Sequence, residues 1–180
     1  MARMHKNLVL HCDIHPGNVA FTSCLSMAEL LAQTPCPPAE MLIPTFIDFE
    51  WALVDGHHLR LRCGDTAVCW AFSSDRVLRR AGSYCKADDL VSLAYVILSL
   101  ALMASPPWFQ QLQNSWTVMD QGGELSSETI IATRKRCLQE LRRSGEVEGL
   151  ILDFISYTEQ LRPNQTPDYD KWAQRGVYAG

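Results

Sequence analysis

The chain has 180 residues, 47% hydrophobic and 20% charged, a balance that supports a folded domain and excludes a disordered one. A chain of this length hides roughly two-thirds of its unfolded surface in one core. Its net charge of -4 gives no reason to expect nucleic acid or an anionic membrane as partner.

Cysteines stand at 12, 24, 36, 63, 69, 85 and 137, an odd number without a C-x-x-C pair or a nearby His cluster. Zinc is therefore not expected; reduced, mostly buried thiols in a cytoplasmic or nuclear protein are. The start, Met1 to Lys6, leads into only three apolar residues before His11, too few for a secretory signal. The most apolar stretch, Leu90 to Ala104, is shorter than the roughly 20 residues that cross a bilayer, and reads as a buried helix. Asn164-Gln165-Thr166 fits a glycosylation acceptor but, without a secretory signal, is read as chance.

In chain order, Leu8-Val9-Leu10 predicts a short strand ending at His11. A loop bearing Gly and Pro runs from Cys12 to Asn18, and Val19-Ala20-Phe21 is a second short strand. Residues 22–44 read as an excursion, with a helical turn near Met27 to Ala32 and a loop at Pro35, Pro37 and Pro38. Thr45-Phe46-Ile47 is the next strand, with Asp48 at its end. Residues 51–87 show no clear period and predict an irregular segment with short helical pieces.

From Asp89 the chain turns helical. The apolar helix 89–104 stops at Pro106-Pro107. Thr129 to Arg143 has helical spacing, with Ser126 or Ser127 as cap and Arg142-Arg143 before Gly145. Glu146 to Leu161 predicts a further helix, ended by Pro163, and Asp168 to Arg175 a short last one, so that the carboxy-terminal helices span 126–175. The expected class is mostly α with a small β patch, in one domain over 1–180.

Two segments carry chemistry: His11-Cys12-Asp13-Ile14-His15-Pro16-Gly17-Asn18 (11–18) and Asp48-Phe49-Glu50 (48–50) after the strand Phe46-Ile47. An Asp followed five residues later by Asn, then a second Asp after an apolar strand, suits metal-assisted phosphoryl transfer. One carboxylate orients the attacking hydroxyl, while the amide oxygen and second carboxylate hold a hard cation against phosphates.

These segments resemble the catalytic loop H-R-D-x-K-x-x-N and the metal loop D-F-G of the protein kinase superfamily. Farther on, Asp88-Asp89-Leu90-Val91-Ser92-Leu93-Ala94-Tyr95 resembles the D-D-L-E-S-L-G-Y helix start of the casein kinase I family and its fungal relatives. Ser105-Pro106-Pro107-Trp108 resembles that family's S-L-P-W, and Leu161-Arg162 with Pro167-Asp168-Tyr169 its L-R…P-D-Y. The resemblance implies a kinase-like carboxy-terminal lobe, with an activation segment over 51–80. It makes Asp13 the base, Asn18 and Asp48 the ligands of Mg2+ and through it ATP, and Phe49 the packing residue of the metal loop. His15 takes the place of the lysine that steadies the transferred phosphate. Asp89 is the candidate that accepts hydrogen bonds from the catalytic-loop backbone, beside the alternative of a simple helix cap. Thr66 is a candidate near the substrate end of the activation segment, or an exposed loop threonine. Arg162 is the candidate anchor of that segment, or a surface arginine.

Several positions depart from the pattern. Cys12 replaces the arginine that pairs with a phosphorylated activation loop, so control by that route is not expected. His15 is a weaker cation than lysine, and Glu50 replaces a hinge glycine. Asp-x-His-Pro-Gly-Asn and Ile-Asp-Phe-Glu also resemble aminoglycoside and choline kinases. Only ten residues precede His11, so the glycine-rich strands, the strand lysine and most of the helix beneath the loop are expected to be missing, with apolar surface exposed in consequence. Three readings follow. The first is a serine/threonine-kinase-like lobe acting on a protein hydroxyl when complemented by a missing lobe or chain. The second is a pseudokinase that binds or scaffolds a partner protein. The third is a small-molecule phosphotransferase.

Overall fold

The computed structural model describes residues 1–23, 42–54, 69–112 and 126–175. The helical turn and prolines expected within 24–41, Thr66, and Cys24, Cys36 and Cys63 lie outside the described residues.

The chain is mostly helical, with two small antiparallel sheets at the front of the helices. It opens on a helix the sequence did not signal, α1 (Ala2–Lys6), which packs on β1 (Val9–Leu10). β1 pairs with β4 (Leu53–Val54), Leu10 opposite Leu53. β2 (Val19–Ser23) pairs with β3 (Leu42–Phe46), Val19 opposite Phe46 and Ser23 opposite Leu42. Both strands run into the expected excursion, so the hairpin claims its two ends. Pro44 is accommodated because a two-stranded sheet has only edges.

The long irregular segment carries, among its described residues, the one-turn helix α2 (Asp75–Leu78), capped by Ser74 Oγ accepting from Val77 N at 3.1 Å. The central helix α3 (Lys86–Leu102) begins three residues before Asp89. Asp88, not Asp89, makes its cap: the Asp88 carboxylate accepts from Cys85 N at 2.9 Å. Ser74 Oγ (2.6 Å) and the Arg76 guanidinium complete that carboxylate's shell and tie α2 to the head of α3. α3 ends with Met103 in the left-handed conformation (φ 49°), ahead of the two prolines.

Residues 107–112 are helical again. α4 (Ser127–Ser144) is capped by Ser126 and closed by Gly145 at φ 70°, where only glycine avoids strain. α5 (Gly149–Gln160) and α6 (Tyr169–Gln174, capped by Asp168) complete the described fold.

α3 is the axis of the core. Leu90, Val91, Leu93, Ala94, Tyr95, Val96 and Leu98 are buried, most of them against α5, and each large aliphatic side chain contributes about 1.5–3 kcal/mol. Trp108 is wholly buried, donating to Ala71 O at 2.7 Å with its ring edge-on to Tyr95. Arg134, though charged, is buried beneath the same rings, 4.8 Å from the Tyr95 centroid. It donates to Ser73 O at 2.5 Å and pairs with Asp75 at 3.3 Å. The core therefore closes over a guanidinium that fastens the α2 segment from below. Arg162, the candidate for that anchoring role or else a surface arginine, is exposed; its backbone N–H donates to Gln165 Oε1 and its backbone oxygen accepts from Gln165 N.

No helix among the described residues is long and apolar enough to cross a membrane.

Candidate functional site

The loop 11–18 hangs from α3. His11 N donates to Asp89 Oδ2 at 2.8 Å and Cys12 N to Asp89 Oδ1 at 3.0 Å, so one buried carboxylate holds two consecutive amides. Two donors on one carboxylate force the chain to turn there, and Cys12 adopts φ 67°, a left-handed conformation that a cysteine rarely enters. The cysteine side chain drops into a small apolar cluster with Val77 and Tyr84.

Beyond that turn, Asn18 Nδ2 donates to Asp13 O at 3.0 Å and to Asp13 Oδ2 at 3.2 Å. The five-residue spacing thus closes into a ring, stiffened by the 3-10 turn Pro16–Asn18. With its amide nitrogen turned to Asp13, Asn18 faces its side-chain oxygen Oδ1 away from that carboxylate. Asp13 retains partial access to solvent, its side chain 14% exposed.

The His15 ring turns back onto its own loop. Gly17 N donates to His15 Nδ1 at 3.1 Å, so the proton of the neutral ring sits on Nε2 and faces Asp13 Oδ2, 3.7 Å away. The imidazole belongs to the wall of the Asp13 site.

Asp48 is brought to the same loop by one side-chain and one backbone hydrogen bond, both made to the preceding residue, Ile47. His11 Nε2 pairs with Ile47 O at 3.0 Å, and Ile47 N donates to Asn18 O at 3.0 Å. Asp48 has φ 60°, its carboxylate accepts from Glu50 N at 3.4 Å, and it is exposed. Phe49 packs its ring on His11, centroids 4.6 Å apart, and remains 45% exposed.

Asn18 and Asp48 supply oxygen ligands of the kind magnesium takes, and in such sites phosphates and water complete the shell. Among the described residues no group of three or more His, Cys, Asp or Glu side chains is placed to hold a metal by itself.

Two residues that sequence reasoning passed over hold this site from behind. His5, buried in α1, places Nε2 3.0 Å from Asp89 Oδ2, while its Nδ1 meets the Tyr169 hydroxyl. A chain of contacts thus runs from α6 through His5 and Asp89 to the amides of His11 and Cys12. Tyr169 lies within the P-D-Y segment but nothing local marks its role, and His5 sits in a polar stretch without a periodic signal.

Among the described residues, Cys69, Cys85 and Cys137 are weaker acids than an ordinary cysteine. Burial raises Cys69, with the Asp13 carboxylate adding to the rise, and burial beside Asp88 pushes Cys85 up to about 11.

No protein-family model matches the chain, and no curated protein matches it.

Proposed function

We propose that this chain is the carboxy-terminal lobe of a protein-kinase-like phosphotransferase, which moves a phosphoryl group from Mg-ATP to a serine or threonine hydroxyl of a protein. The observation that carries the reading is the Asp13–Asn18 ring suspended from Asp89, with the Asp48 strand end bonded to the same loop. Local motifs can arise by chance, but such convergence from residues 13, 18, 48 and 89 is what the chemistry requires.

In this reading Asp13 accepts the proton of the attacking hydroxyl, and its partial exposure leaves room for one. Asn18 fixes the Asp13 carboxylate through Nδ2 and offers Oδ1 to the cation, while Asp48 offers the second ligand. His15 Nε2, facing Asp13, keeps the carboxylate's orientation rather than clamping phosphate. Magnesium, when bound with ATP, draws charge from the phosphates. Catalysis of this kind is positioning and electrostatics, so the rigidity of the loop is itself functional.

The adenine side of the cleft calls for a second body. Leu8, Ile47, Phe49 and Val54, at and beside the strand ends, are 43–48% exposed, apolar surface that such a body would cover. The reading places the protein in the cytoplasm or nucleus.

The experiment is a Mn-ATP titration of the full chain followed by electron paramagnetic resonance. Weak binding is expected, lost in Asp48→Ala and Asn18→Ala and kept in Arg162→Ala. Binding indifferent to both ligand variants would defeat the assignment. Tight binding by the chain alone, abolished in Asp48→Ala, would defeat the need for a second body.

A further inference from the structure

The loop that joins α2 to α3 presents a serine behind two arginines, Arg79-Arg80-Ala81-Gly82-Ser83. Ser83 is the only Ser or Thr in the sequence with an Arg or Lys three positions before it. Residues 79–83 are exposed, and neither the Arg80 guanidinium nor the Ser83 hydroxyl has a partner among the described residues. Arg79 pairs with Glu128 at 2.7 Å, on the surface, where such a pair is easily exchanged for another carboxylate. Guanidiniums three and four residues before an open hydroxyl suit an enzyme whose peptide groove is lined with carboxylates. α2 is a single turn with little stability of its own, so the stretch can lift into such a groove without unfolding the core.

The same loop closes on a third arginine. Arg76 Nη1 donates to Ala81 O at 2.7 Å and Nη2 to Ser83 O at 2.7 Å, while Nη2 also meets the Asp88 carboxylate. Gly82 adopts φ 86°, and a Cβ there would stand 3.4 Å from Arg76 Nη1, so the glycine lets the loop wrap the guanidinium. Arg76 is 23% exposed and Asp88 2%. The cation is reachable from solvent, whereas its carboxylate partner is sealed in.

We propose that Ser83 is phosphorylated by a protein kinase selective for basic residues ahead of its target, and that the phosphate draws Arg76 from Asp88. In the transfer the Ser83 oxygen attacks the γ-phosphorus of that kinase's ATP and the bond from this phosphorus to the bridging oxygen breaks. ADP leaves, and the hydroxyl proton passes to that kinase's base. The phosphoserine carries about −1.5 to −2 charge, more than one carboxylate offers the guanidinium. Asp88 then keeps Cys85 N and Ser74 Oγ but loses the cation that ties α2 to the head of α3. Val77 of α2 packs in one cluster with Cys12, so a loosened α2 is felt in the loop that carries Asp13. The modification is a regulatory input through α2, and it does not rest on the phosphotransfer reading.

The test uses the full folded chain, Mg-ATP and purified calcium/calmodulin-dependent protein kinase II, which requires an arginine three residues before its target. Peptide mass spectrometry locates the phosphate, and hydrogen exchange follows the amides of Leu78 and Arg79. Phosphate is expected on Ser83, absent in Ser83→Ala, and incorporated about tenfold more slowly or worse in Arg80→Gln, the loss of one charge-assisted contact. Exchange at Leu78 and Arg79 should rise about tenfold or more on phosphorylation, the effect of removing one charge-assisted hydrogen bond, with α5 unchanged. No phosphate on Ser83 of the folded chain, or equal rates in the parent and Arg80→Gln, would overturn the site. Phosphate on Ser83 without the added kinase would overturn the partner, and unmoved exchange at Leu78 and Arg79 in the phosphorylated chain would overturn the release of Arg76.

Discussion

Replacing Asp89 tests whether one carboxylate holds the loop in place. It accepts from His11 N at 2.8 Å, Cys12 N at 3.0 Å and His5 Nε2 at 3.0 Å, and no part of it is exposed. Asp89→Ala strands two buried backbone amides, each at a cost of about 1–3 kcal/mol, or about 2–6 kcal/mol together before any water enters. That is a large share of the ~5–15 kcal/mol by which a domain is stable. Asp89→Asn keeps one carbonyl oxygen but turns an NH2 toward a donor, so about half that loss is expected. Urea unfolding followed by tryptophan fluorescence measures both variants, since Trp108 and Trp172 are buried. Hydrogen exchange at residues 11 and 12 locates the effect. Should Asp89→Ala fail to fold, Asp89→Asn carries the comparison. A loss within about 0.5 kcal/mol of the parent, with protection at both amides unchanged, would refute the reasoning.

Tyr169→Phe keeps the ring and removes the hydroxyl that meets His5, so a loss of about 1 kcal/mol is expected, with faster exchange at His11 and Cys12. If only the amides of α6 respond, the contacts through His5 do not couple to the loop. Glu159 keeps an exposed edge, but the loss of water on the side it turns to the protein raises its carboxyl above the ordinary 4.5, against the pull of the Tyr95 hydroxyl and Arg134. The folded state then binds this proton more tightly than the unfolded one, so the contribution of Glu159 to stability falls as pH rises from about 4.5 through the raised folded value. Glu159→Gln should gain on the parent across that window, and a difference in Tm that stays flat from about pH 4 to about pH 7 would contradict it. In Gly17→Ala the added Cβ would meet His15 Cε1 at 2.8 Å, but that atom ends a side chain free to turn. A cost under about 1 kcal/mol is expected, with displaced His15 ring resonances in NMR spectra; unmoved resonances would show that the Gly17–His15 turn does not form.

The helices were legible where one face repeats. α4 shows its cap, its apolar stripe and its glycine stop in sequence, and forms within two residues of the expected limits. α3 starts earlier than expected because Asp88 acts from the third helical position instead of capping directly, which moves the boundary back to Cys85. α1 escaped because five residues give little room for a period, and its stability comes from burying His5. The strands were legible as apolar runs. Their lengths were not, because β2 and β3 lengthen by pairing with each other, a contact that neither run announces.

The candidate site divides along the same line. Asp13 and Asn18 lie five residues apart, and that spacing marks them as one unit in the sequence only in company with the apolar strand that ends at Asp48. The Asp89 contact spans 78 positions and became an expectation only through the resemblance of the α3 start. His5 reaches across 84 residues to Asp89 and 164 to Tyr169, and nothing near His5 in the sequence announces either contact. At Arg162 the resemblance left an anchor and a surface arginine both open, because an arginine's role depends on whether the fold closes over it, and aromatic rings close over Arg134. Residues that would touch the reacting groups are thus concentrated in two short loops and readable there. The residues that fix those loops are scattered through α1, α3 and α6. A left-handed Cys12 and Asp48 persist only while that scattered support holds. Loss of function in this chain should therefore arise as readily at His5 or Tyr169 as at Asp13, but with a different signature: loosened exchange of the loop in the first case, an intact loop in the second.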